Sequence, residues 1–137
     1  MLSPDAARTT LAAIRIANGA VGLIAPELLL RRLGVDTRRD RSGTYPFRMF
    51  GIRTVLIGAD LLLLRGEERV RATRLAVVIH ASDTLSAATC GVRGDLPRKA
   101  AFLTTGISAV NTMLAIISAR TPKASERVET PGMAGAA

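Results

Sequence analysis

The chain has 137 residues, room for one domain but not for a separate cofactor-binding domain. Apolar residues make up 48% and aromatics only 3%, with no tryptophan, so Leu, Ile, Val and Ala must supply what a soluble core draws from aromatic rings. The formal charge is +8, nearly all from arginines that fall between apolar runs, and Tyr45, Phe47, Phe50 and Phe102 form no stacking platform, which excludes nucleic acid and points to anionic lipid headgroups.

The first helix has a clear start. Ser3 can cap it, Pro4 suits its first position, and Asp5 complements the positive end of its dipole. It runs through LAAIRIANGAVGLIA to Pro26. No basic segment precedes this apolar stretch and Arg15 interrupts it, so a cleavable signal peptide is not expected. Arg15 and Asn18 lie one turn apart on one face, and Gly19 and Gly22 let a neighbour approach closely. Pro26 either kinks this helix or begins a short new one, PELLLRRLG, lying at the membrane surface.

VDTRRDRSGTYP is a charged loop. A second helix begins near Pro46 and runs to a stop at Gly66; a third follows from about Glu67 through Gly91. Pro97 opens the fourth. From Ala100 to Ala119 it carries 20 residues without a charge, bracketed by Arg98 and Lys99 on one side and Arg120 and Lys123 on the other. About 20 apolar residues are what a ~30 Å hydrocarbon core requires, and a soluble helix would carry a charged stripe instead. The expected architecture is therefore all-α: residues 1–120 form a four-helix up-and-down transmembrane bundle with a short interfacial helix after helix 1, multi-pass in the cell membrane. Residues 121–137 read as a disordered tail. Basic residues divide eight against nine between the two sides, which gives no orientation.

In such a bundle, residues equally far from a turn share a depth. Counting outward from the turns places Arg15, Asn18, Arg53, His80, Asp83 and Asn111 in one layer, with every long helix contributing. Charges at that depth should face inward and pair. Arg53 with Asp83 is the preferred pair, and His80 shares a helix face with Asp83 at i,i+3 spacing. Asp60 lies nearer a turn, level with Thr73 and Arg74, and is expected in a peripheral ion pair. Two small-residue ridges, Ser82–Ser86–Cys90 and Ala101–Thr105–Ala109, suggest close packing of the last two helices.

The chemistry open to this layer is narrow. His80 with Asp83 gives two metal ligands and no motif supplies more, so neither a metal nor another cofactor is implied. The single cysteine, Cys90, excludes an internal disulfide, and it lies ten residues from His80 on the same helix, too far for that base to activate it. GVRGDLP lacks the spacing of a phosphate-binding loop. Acid–base chemistry by His80 and Asp83 beside an Arg53 charge clamp, on a lipophilic substrate between helices, remains as the catalytic option.

GLIAPELLLRRLG, the R-x-F-G-x-R pattern at Arg48–Arg53, Asp60 and the aspartate of the third helix resemble a family of small four-helix membrane proteins, frequent in actinobacteria and also found in fungi. That family is described only as a domain of unknown function, so the resemblance implies a fold and no activity. It covers roughly residues 10–118, and Gly22, Pro26, Arg48, Gly51, Arg53 and Asp83 are the positions that carry over. The arginine-rich, aromatic-poor composition also suits a high-GC actinobacterium. Two readings of function follow. One is a non-catalytic membrane protein, an accessory subunit or lipophile binder whose partners are membrane lipids and a lipophilic small molecule or membrane protein. The other is a membrane-embedded isomerase or cyclase using Asp83 and His80. The first is preferred because no second well-placed acid or base is present.

Overall fold

Ser3 starts the first helix as its side chain suggests: its Oγ accepts the N–H of Ala6 at 3.2 Å, with Pro4 and Asp5 in the turn that follows. The computed structural model describes residues 2–120, so the tail expected to be disordered lies outside the described residues. Within them the chain is all-α, with five helices and no strand: α1 (Pro4–Ile24), α2 (Pro26–Arg32), α3 (Thr44–Leu63), α4 (Gly66–Arg93) and α5 (Arg98–Ser118).

Pro26 decides between the two readings left open for the end of α1. Ala25 leaves helical geometry at φ −134°, and the axis turns by 102°, so α2 is a separate helix rather than a bent continuation. Its one acidic side chain, Glu27, meets Arg41 of the following loop at 3.4 Å. In that loop the Ser42 side chain and its N–H, the latter donating to Asp40 at 2.8 Å, hold the Asp40 carboxyl below the usual carboxylate range. The helix expected from Pro46 begins two residues earlier, at Thr44, because a proline in the first turn lacks an N–H that would be unpaired anyway. Gly66, expected as a stop, instead opens α4 at φ +57°, and Gly94 closes that helix in the left-handed region at φ +78°.

α1 and α3 run antiparallel in close contact, and glycines set the spacing. A Cβ on Gly51 would fall 2.5 Å from Leu23 N and 2.7 Å from Gly19 O; one on Gly19 would fall 2.8 Å from Val55 N. Arg8 donates to the Leu61 carbonyl and fastens the start of α1 to the last turn of α3. α4 and α5 form the second close pair, and α1 also lies along α5. Leu11, Ala12, Leu61, Ala76 and Ala115 make the fully buried centre where these helices meet. α3 and α4, joined by a short turn, touch little beyond it, and the space between them becomes the cavity described below.

One of the two expected ridges is misplaced. Ser82 and Ser86 are exposed, and the face of α4 turned to its neighbours carries Ala76, His80, Thr84, Ala87 and Gly91. Thr84 and Thr112 bond across the α4–α5 contact at 3.0 Å, and a Cβ on Gly91 would fall 2.9 Å from that of Ala101. Asp60 is exposed and takes part in no ion pair among the described residues, contrary to expectation.

Two helices, α4 and α5, are long and apolar enough to cross a membrane. The bent pair α1–α2 qualifies only if counted as one span. α3 does not qualify, since Arg48, Arg53 and Asp60 fall along it.

Candidate functional site

Each long helix delivers one buried polar side chain to a common point, and the periodicity of its buried face explains why. In α1 the buried positions Ala7, Leu11, Arg15 and Gly19 recur every four residues, which carries Arg15 inward until only 5% of it is exposed. In α3 the buried row Gly51, Thr54, Gly58 and Leu61 carries Thr54. In α4 the row Thr73, Ala76, His80 and Ala87 carries His80, and in α5 Asn111 lies one turn before Ala115. His80 is 3% exposed, Thr54 5% and Asn111 8%.

These four line a cavity of about 440 Å³. Asn18 and Asp83 stand at its edges, both substantially exposed. Leu29, Phe47, Phe50, Leu103 and Ile107 form apolar walls, with Phe47 and Phe50 meeting edge to face at 6.3 Å between ring centres. Arg32 of α2 completes the lining. A second, apolar hollow between α1 and α5 shares Asn18, Leu103, Ile107 and Asn111 with this one.

Arg15 Nη1 donates to His80 Nε2; the other ring nitrogen is farther away, at 3.4 Å. A guanidinium has no acceptor, so Nε2 must present its lone pair and Nδ1 must carry the hydrogen. Nδ1 faces Asp83 Oδ2 at 3.9 Å, one turn along α4. The result is a row, Arg15 to His80 to Asp83, running from the buried floor to the half-exposed wall. Two buried polar atoms of these residues have no hydrogen-bond partner among the described residues: Arg15 Nε and Asn111 Oδ1.

Of the six residues expected to share a layer, Arg15, Asn18, His80, Asp83 and Asn111 line the cavity; Arg53 does not. Arg53 lies on the exposed side of α3, and the expected Arg53–Asp83 pair is not formed. Counting from turns gives depth but not direction. At 100° per residue, position 53 points well away from the buried row through 51, 54 and 58. Thr54, the true contribution of α3, escaped the sequence reading although it sits on the same face as Gly51 and Gly58. The aromatic wall was legible in the sequence only as scattered phenylalanines.

Chemically, the row limits His80. Its Nε2 lone pair is engaged by a cation, so it is not free to take a proton from a substrate. Cys90 does not line the cavity. Compared with family models, with curated proteins and with solved structures, the chain matches none of them.

Proposed function

We propose that the protein is a small integral membrane protein that holds a lipophilic small molecule among its helices, with α1, α3, α4 and α5 as a four-helix transmembrane bundle and α2 at the interface. The cavity carries this reading: about 440 Å³, apolar at the walls, with four buried polar groups converging on its floor. Few, convergent polar groups inside an apolar hollow are the usual make-up of a small-molecule site. Lipid surroundings account for the outer faces: Phe102 is 85% exposed, Val92 90% and Leu63 74%. Native mass spectrometry of the full chain, purified in mild detergent, tests the reading. A bound lipophile is expected on the wild type and at lower occupancy on Leu103→Trp, which sets a larger ring in the cavity wall. Bare protein in both, with no lipophile retained, would overturn the reading.

A second reading rests on one observation, the Asp83 carboxylate standing on the cavity wall 3.9 Å from the His80 ring. An isomerase or cyclase would use that carboxylate as its base, with His80 positioning it. Asp83→Asn separates the two: a binder keeps its ligand, whereas an enzyme retains ligand and ceases to convert it.

A further inference from the structure

We infer that the ligand of this cavity is a single-chain lipophilic carboxylate, bound with its head inward on Arg15; the inference rests on the cavity being a ligand site, as proposed above. Arg15 is charged at every accessible pH and has five N–H donors to place. Only 5% of it is exposed, and among the described residues no ion pair includes it and its Nε has no partner. Its one side-chain acceptor, His80 Nε2, carries no formal negative charge to offset it. A buried cation left in this state lacks an anion.

The described residues offer no adequate one. Among them Asp83 is the lone carboxylate lining the cavity, and its oxygen faces His80 Nδ1. With Arg15 and Arg32 both in the lining, two guanidiniums stand against that single carboxylate and leave the hollow positive. A ligand carboxylate would meet the planar fork of Arg15 with two parallel bonds. The Asn111 amide, which lines the same cavity and has no partner at Oδ1 among the described residues, can turn its NH₂ toward a second oxygen. The tail then lies along Phe47, Phe50, Leu103 and Ile107. A head-outward pose would press a terminal methyl against Arg15, Thr54 and Asn111. About 440 Å³ is toward the small end of ligand pockets, which suits one chain rather than the two of a bilayer phospholipid.

The test is scintillation-proximity binding of tritiated oleate and tritiated methyl oleate to the immobilised full chain in detergent. Oleate is expected to bind at least about tenfold more tightly than its ester, since the ester cannot form the charge-assisted pair. Arg15→Gln is expected to lower oleate to the level of the ester and to leave the ester unchanged. Should that variant not fold, the acid-to-ester ratio in the wild type decides alone. Equal binding of acid and ester would overturn the carboxylate assignment while leaving the cavity a lipophile site. Binding of neither would remove the site as well. Excess unlabelled dioleoyl phosphatidate should not displace oleate; full displacement would assign the head to a lipid phosphate instead and overturn the inference.

Discussion

Arg15 and Arg53 carry the same charge at similar depth, yet they differ in what surrounds them. Arg15 is enclosed with a ring nitrogen as its acceptor, whereas Arg53 sits on an open helix face. In the ligand-free protein the Arg15 guanidinium is a net cost, because no anion among the described residues pairs with it to offset its desolvation. Delipidated Arg15→Gln is therefore expected to melt no lower than the wild type. If Arg15 instead served to hold the helices together, its removal would cost about 3–5 kcal/mol, the penalty of breaking a buried pair. Arg53→Gln should stay within about 0.5 kcal/mol of the wild type in the same thermal scan, as exposed substitutions do. Five of the site's polar residues were readable from the sequence because depth follows from distance to a turn. Arg53 was misassigned and Thr54 missed because depth says nothing about which way a side chain points.

Among the elements, the α1–α3 contact holds the site together, since it fixes where Arg15 and Thr54 stand. Three backbone atoms lie within 2.8 Å of where a Gly51 Cβ would be, and none can rotate aside. Gly51→Ala is expected to destabilise by about 1–3 kcal/mol in a thermal scan in detergent, the usual range for overpacking. Gly106→Ala is the internal comparison: nothing lies within 4 Å of its added Cβ, so the change should stabilise by roughly 0.5–1 kcal/mol through helix propensity alone. Equal effects would mean that the close approach of α1 and α3 does not govern stability. Helix starts at Ser3 and Pro97, the break at Pro26 and the close approach at Gly19 and Gly22 were legible because each is a local property of one or two residues. The contact face of α4 was not, because small residues lie on more than one face of that helix and only the neighbouring helices decide which is covered.

For the molecule as a whole, the decisive fact is how little of its apolar surface the chain covers by itself. In the most apolar windows of α4 and α5 only 17% and 22% of residues are buried, yet these are the helices long and apolar enough to span a bilayer. Surface of that kind requires lipid or protein around it. Composition and the uncharged run of α5 made this legible, while the number of crossings was not, since Arg53 and Asp60 leave α3 ambiguous by hydropathy. The most direct test is alkaline carbonate extraction of membranes from cells expressing the untagged chain, followed by ultracentrifugation. The chain should stay in the pellet and be released only by detergent; recovery in the supernatant as a soluble monomer would contradict the account.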